Sequence, residues 1–327
     1  MHIIIAHSLT YGIINTITYK ISSAKILMKH SYSIRKIILH LLNKKIFHVI
    51  PDKQYLKIRY FVKMGKKLNL DTPKTFNEKL QWIKLYDRKD IYTIMVDKAQ
   101  AKEYVKNIIG EEYIIPTLGI YDNFDEINFD KLPNKFVIKC THDSGGLVIC
   151  RDKTKLDKQA AKKKINKALQ KNFYYSNREW PYKNVPPKII IEKYMEDKNN
   201  KSMQDYKFFC FNGEPKIMYI SEGLENHATA RMSFYDMDMQ LTSCLRRDYK
   251  PLNFMPKKPK NFEKMKQFSA LLSKDIAHMR VDWYEINGKL YFGELTLTTC
   301  GGMMLFEDDS WDYKLGELIN LDIHASS

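Results

Sequence analysis

The sequence predicts an α+β fold built on antiparallel sheets, and three observations carry that prediction. Asn212-Gly213 lies between the apolar runs 208–211 and 216–220, and Asn287-Gly288 lies between 281–286 and 290–297. Both dipeptides tolerate the positive φ that tight hairpin turns demand. A Gly-containing turn, Ser144-Gly145-Gly146, separates the short β runs 136–140 and 147–150. Helical patterns are interleaved with these hairpins, which argues against a doubly wound parallel sheet.

Residues 1–27 are apolar in part, but His2, His7, Ser8, Thr10, Asn15, Thr16 and Thr18 interrupt them too often for a membrane span. They show no small-residue cleavage site, so an upstream extension with Met28 as an alternative start is expected. Residues 34–50 place Ile37, Ile38, Leu41, Leu42, Ile46 and Val49 at helical spacing beside Arg35, Lys36, Lys44 and Lys45. That is a basic amphipathic helix, suited to an anionic lipid surface or to packing on the next domain. Thr75-Phe76-Asn77-Glu78 reads as a capping box opening a helix whose Phe76, Leu80, Ile83 and Tyr86 form a core face. Another helix begins within 98–105, and 122–132 is a polar connection into a strand. Residues 156–172 form a basic helix, and 189–194 a buried strand.

The chain has 327 residues, 44 % hydrophobic and 28 % charged, with 13 Gly and 11 Pro, which excludes collagen-like and wholly disordered classes. Five cysteines without a Cys-x-x-Cys pair argue against a disulfide framework or a cysteine zinc site and for a reducing compartment. The net charge of +16 favours anionic partners. Residues 1–50 contribute seven basic side chains and no acidic one.

Three constellations carry chemistry. In the first, Lys139 near the end of a β run precedes the turn Thr141, His142, Asp143, Ser144, Gly145, Gly146, a point charge beside backbone amides that suits a polyphosphate. His142, Asp143 and Ser144 are adjacent and cannot assemble the sequential bonds of a hydrolase triad. In the second, alternation places Arg280 and Asp282 on one face of a strand, and Glu294 and Thr296 on one face of the next. Meeting across the hairpin they would suit Mg²⁺, which takes oxygen ligands. A strict two-residue turn sets Asp282 opposite Gly293, on the wrong face from Glu294, so a metal site predicts a bulged or offset turn. In the third, the strand end Glu192, Lys193, Tyr194, Met195 precedes Asp205; main-chain groups there could pair with a purine edge, and an acid with ribose hydroxyls.

In this order the three constellations resemble the ATP-grasp superfamily, and more closely its TupA-like polysaccharide-biosynthesis branch. The resemblance rests on Thr75 through Trp82, Val96-Asp97-Lys98, Phe136 through Lys139, Thr141 through Gly146, Ile191 through Tyr194, Asp205 through Gly213, Arg280-Val281-Asp282 and Phe292 through Thr296. It implies an ATP-grasp fold, two α+β lobes clasping ATP after an N-terminal helical region. The implied segments are a basic extension at 1–51, an N-terminal region at 52–110, a first lobe at 111–195 and a second lobe with the metal site at 196–327. Lys98 and Lys139 would neutralise ATP phosphates under the 141–146 loop, Glu192 through Met195 would hold adenine, and Asp205 the ribose. Asp282 and Glu294 would hold Mg²⁺, and Arg280 would stabilise charge on the transferred phosphoryl group or the acyl intermediate. Thr296 stands where many relatives carry Asn, so the resemblance leaves that ligand open.

The implied activity is an ATP- and Mg²⁺-dependent carboxylate–amine ligase working through an acyl phosphate. Its expected partners are ATP, an amine donor and an acidic polysaccharide or lipid-linked sugar precursor such as a bacterial capsule or cell-envelope polymer. The expected location is cytoplasmic, with peripheral contact to the inner membrane face through 34–50. The basic side chains Lys158, Lys162, Lys163, Lys164, Lys167 and Lys171, and the aromatic stretch 173–182, are candidates for acceptor binding. A glycosyltransferase is the alternative, for which Asp236-Met237-Asp238 supplies a formal Asp-x-Asp metal motif. A charge-driven nucleic-acid or lipid binder is a third reading, but no nucleic-acid module is visible and no nucleic-acid partner is expected.

Overall fold

The computed structural model describes residues 32–197, 204–223 and 229–321. The expectations for residues 1–31 lie outside the described residues. The chain divides into two compact units, residues 1–69 and 70–327.

In the first unit, α1 (Tyr32–Leu42) and α2 (Asp52–Met64) are joined by a 3₁₀ turn at Lys45–Val49. The helix expected over 34–50 therefore stops early. Bonds from Asn43 N to His40 O and from Lys44 N to Leu41 O tighten its last turn, and Lys44 then goes extended at φ −75° and ψ 145°. Gly65, left-handed at φ 73°, closes α2.

The second unit starts with α3 (Phe76–Tyr86), α4 (Ile91–Val96) and α5 (Gln100–Ile109). The capping box is present: Glu78 N donates to Thr75 Oγ1 at 3.2 Å, and Thr75 N donates to Glu78 Oε2 at 3.1 Å. Phe76, Leu80 and Ile83 are buried as expected, but Tyr86 is not. Ten residues of helix turn the side chain about 80° away from Phe76, and Tyr86 packs instead on Trp82.

Two antiparallel sheets follow. The first has the order β1 (Thr117–Tyr121), β4 (Ile189–Lys193), β2 (Phe136–Cys140), β3 (Leu147–Cys150). Its core joins Phe136, Ile138, Ile189 and Ile191 to Ala161 and Ile165 of α6 (Lys158–Leu169), which the one-turn α7 (Tyr174–Asn177) follows. The second has the order β7 (Arg231–Asp236), β6 (Glu214–Glu222), β5 (Asp205–Phe211), β8 (His278–Ile286), β9 (Lys289–Thr296). Asn212 and Asn287 take φ of 49° and 52° in its hairpin turns, as the sequence predicts. One face packs Phe208, Cys210, Val281 and Trp283 against α4, α5 and α8 (Phe262–Leu272). The other packs Phe209, Phe211, Ile217 and Phe234 against α3 and α9 (Ser310–Glu317), and the charged residues lie on this second face.

Candidate active site

The register of the second sheet decides how the charged side chains meet. Lys207 pairs with Asp282, Asp282 with Glu294, Asp205 with Tyr284, and Arg280 with Thr296. Directly paired residues of an antiparallel ladder point to the same face, so β5, β8 and β9 share one charged surface. The turn itself is the strict two-residue form, with Ile286 paired to Lys289, and the offset required for a shared face lies within the strand. A bulge between Asp282 and Trp283 absorbs one residue of β9, which is Gly293. A Cβ on Gly293 would stand 2.9 Å from Tyr284 Cε2 and 3.0 Å from Asp282 O, so the bulge has room for glycine alone. The expectation of an offset turn is corrected in place: the turn is regular and the bulge moves Glu294 onto the Asp282 face.

Asp282 is almost wholly buried between two cations. Arg280 donates from Nε and Nη2 to its two oxygens at 2.6 and 2.7 Å, and Lys207 donates from Nζ at 2.6 Å. Burial alone would raise its pKa, but the two cations outweigh that and hold it below the usual carboxylate range. Asp205 is 3.6 Å from Lys207 and shifts upward, because burial outweighs that attraction. Glu294 is more open and lies 3.5 Å from Arg280 Nη2 and 4.0 Å from Lys98 Nζ. Among the described residues, no three His, Cys, Asp or Glu side chains converge as a ready metal cage. Thr296 continues the Glu294 face opposite Arg280.

The first sheet brings the lysines. Lys139 binds Glu192 at 2.5 Å, and Lys102 of α5 pairs with the other Glu192 oxygen. Burial pushes Glu192 up, but the two ammonium groups outweigh it and take its pKa down to about 2. Desolvation works against charge on Lys139, and the attraction of Glu192, with Glu294 and Asp205, outweighs it. Lys139 therefore feels acids of both sheets. Lys98 donates to Asp143 O, tying the start of α5 to the 141–146 turn.

Within that turn the side chains serve the backbone. Both Asp143 oxygens accept from Gly146 N, at 3.0 and 2.9 Å, and buried His142 contacts Lys171 O through Nε2 at 3.0 Å. Thr141 is buried and donates to Pro186 O at 3.3 Å, while Ser144 and Gly145 are exposed at the tip. At the β4 end, Lys193 is exposed, and Tyr194 Oη accepts from Arg151 Nε at 3.2 Å. Met195 follows, half-buried, outside the strand.

Two lysines of this cluster escape the sequence reading. Lys207 was legible as the residue two after Asp205 on the same strand face, and Lys102 as a second lysine four residues after Lys98, in the first turn of the helix that follows it. Other candidates are placed elsewhere. Asp236 accepts from Asp238 N and Gln240 N at 2.9 and 2.8 Å, so the Asp-x-Asp motif closes the turn after β7. In the aromatic stretch, Tyr174 and Tyr182 are buried, and Arg178 packs over the rings of Tyr174 and Tyr175. Lys162 on α6 is paired with Asp125 at 2.7 Å.

The family model of TupA-like ATP-grasp proteins matches residues 78–320, which span both sheets and the charged face between them. The chain belongs to the TupA-like ATP-grasp family. Its α+β architecture of two antiparallel sheets is the ATP-grasp fold that the resemblance implied. Solved structures similar to this ATP-grasp chain include D-alanine–D-alanine ligase from Bacillus anthracis, at 16 % identity over 71 % of this chain and 69 % of that one, with a TM-score of 0.41. The corresponding ligase from Helicobacter pylori matches at 13 % identity over 75 % of this chain and 69 % of that one, with a TM-score of 0.38. D-cycloserine synthetase DcsG matches at 13 % identity over 69 % of each chain, with a TM-score of 0.39. Comparison with curated proteins found no match.

Proposed function

We propose that this ATP-grasp protein is an ATP- and Mg²⁺-dependent carboxylate–amine ligase that amide-links an amino compound to a uronic acid of a bacterial surface polysaccharide or its precursor. The observation that carries the reading is the convergence of Lys98 and Lys139 with Glu294, Asp205 and the Arg280–Asp282–Lys207 cluster, so that Lys139 of the first sheet and Lys98 just before α5 meet the acids of the second sheet. Phosphates are the ligand class that such a mixed set suits, because lysine and arginine neutralise them while carboxylates hold a bridging cation.

In this reading the first lobe is 111–195 and the second 196–327. Lys98 and Lys139 lie along the phosphates beneath the 141–146 turn, whose Ser144–Gly146 tip offers backbone amides. Residues 192–195 and Asp205 receive the nucleoside. Asp282 and Glu294, with the Thr296 hydroxyl, are hard oxygen donors that fit Mg²⁺ when phosphate oxygens and water complete its shell. Bound there, Mg²⁺ would offset phosphate charge. Arg280 adds a fixed cation beside the transferred group, as does Lys207.

The chemistry needs positioning more than a protein nucleophile. The substrate carboxylate attacks the γ-phosphorus, the bond to the β-phosphate oxygen breaks, and ADP leaves with an acyl phosphate formed. The amine then displaces phosphate, forming the amide and releasing its proton to solvent. An acidic sugar polymer is consistent with the net charge of +16. We place the enzyme in the cytoplasm, with 34–50 touching an anionic membrane. That segment exposes Ile37, Leu41, Ile46 and Val49 beside its basic residues.

The test is the thermal unfolding midpoint with ATP, Mg²⁺-ATP and a panel of nucleotide sugars. Mg²⁺-ATP at about 100 times its Kd should add about 2.7 kcal/mol, and the gain should vanish in Lys139→Ala and in the Asp282→Asn, Glu294→Gln double variant. A response to nucleotide sugars without one to ATP would replace this reading with glycosyl transfer. ADP release and hydroxamate formation with D-glucuronate and hydroxylamine then probe the acyl phosphate.

A further inference from the structure

Helix α3 has a second buried face that the core does not explain. Asn77, Gln81 and Lys84 recur at i, i+4 and i+7, and all three are buried. Buried polar groups must be hydrogen-bonded to be tolerated, and the bonds of these three converge on one stretch of main chain. Asn77 Nδ2 donates to Met304 O at 2.9 Å, and Met304 N donates to Asn77 Oδ1 at 2.7 Å. Gln81 Nε2 donates to Gly301 O at 3.1 Å and Gly302 O at 2.5 Å. Lys84 Nζ donates to Gly301 O at 2.6 Å, to Gln81 Oε1 at 2.9 Å and to Asn177 O at 2.9 Å.

The stretch they hold is unusual. Cys300, Gly301 and Gly302 are three successive left-handed residues, at φ 54°, 62° and 66°. L-residues adopt that conformation at a cost, and surrounding contacts must impose it. The fit is also close, since a Cβ on Gly302 would come within 2.9 Å of Leu80 Cβ and would collide with Gln81 Nε2. This turn continues directly from β9, just after Glu294 and Thr296. Thr298 donates to Glu179 at its entrance. Thr296, the cross-strand partner of Arg280, stands three residues before the turn's first residue, Thr299. The turn therefore borders the charged face.

We propose that Asn77, Gln81 and Lys84 form a positioning element for the reaction, a polar clamp on α3 that holds the left-handed 300–302 turn and with it the end of β9 that carries Glu294 and Thr296 opposite Asp282 and Arg280. Its consequence for turnover rests on the ligase reading above; the clamp itself does not. The three residues are positioning residues, with main chain as their target.

The experiment uses full-length protein and the exposed thiol of Cys300 as reporter, the other four cysteines being buried. Gln81→Met and Lys84→Met remove donors at nearly constant volume, and Ile165→Val in the first sheet's core is a destabilised control. Modification of Cys300 by a small aromatic disulfide should accelerate about tenfold in either clamp variant and stay unchanged in the control, with Mg²⁺-ATP affinity kept within about twofold. Where ADP release is measurable with D-glucuronate and hydroxylamine, kcat should fall about tenfold or more while KM for ATP holds. Unchanged thiol rates in both clamp variants, or equal acceleration in the control, would overturn the clamp. Absence of turnover by the unaltered protein would count against the ligase reading and leave the thiol rates to decide the clamp.

Discussion

At the scale of single residues, Gly293 has the largest consequence for its size. Its missing side chain lets β9 slip by one residue, and that slip puts Glu294 opposite Asp282. Gly293→Ala should cost about 1–3 kcal/mol in urea unfolding and abolish stabilisation by Mg²⁺-ATP; retention of both would show that the bulge is dispensable. His278 sets an acid limit of a different kind. It lies among the rings of Phe76, Phe209 and Phe211, and its Nδ1–H donates to Leu297 O at 3.0 Å. Burial lowers its pKa from 6.5 to about 4. The unfolded chain therefore takes up this proton first, so stability is intact above pH 6.5 and falls toward pH 4 by about 1.4 kcal/mol per unit. His278→Phe should flatten that slope between pH 6.5 and 4.5 in urea titrations. Glu192 acts lower, its contribution being present above pH 4.5 and lost as pH falls through about 2.

At the scale of elements, α3 was half legible. Its start could be read because a capping box is a local device, with donors and acceptors three residues apart. Thr75→Ala should cost about 1 kcal/mol of unfolding free energy, and a smaller loss would mean that Asp312, which accepts from Asn77 N at 2.9 Å, holds the helix start without the cap. The polar stripe of the same helix could not be read, since its partners lie more than 200 positions away at Gly301, Gly302 and Met304. The β8–β9 hairpin divides in the same way. Asn287-Gly288 announced its turn, while the bulge at Gly293 depends on packing against Tyr284 and the Asp282 backbone. The 141–146 turn was found where its glycines placed it, but the inward roles of His142 and Asp143 required Ala168 O at the C-terminal end of α6, Lys171 O just beyond it and the Gly146 amide.

At the scale of the whole molecule, charge is distributed by region. Residues 1–50 contain seven basic residues and no acidic one, and α1 with its following turn exposes Ile37, Leu41, Ile46 and Val49. Among the described residues, no helix is long and apolar enough to cross a membrane. Full-length protein should sediment with vesicles containing anionic lipid at low salt, be released near 1 M salt where the Debye length is about 3 Å, and ignore neutral vesicles. Charge reversal at Arg35, Lys36, Lys44 and Lys45 should abolish the binding; binding that survives it would refute an electrostatic contact. By itself the sequence determined the α+β class, the hairpin turns, the capped helix and the order of the motifs, because each depends on residues near one another in the chain. Only the tertiary structure decided that Asp282 and Glu294 share a face, that Lys102 and Lys207 join the charged cluster and that α3 grips the 300–302 turn. Those facts depend on register and on contacts across long sequence separations, where a shift of one residue reverses which side chains meet.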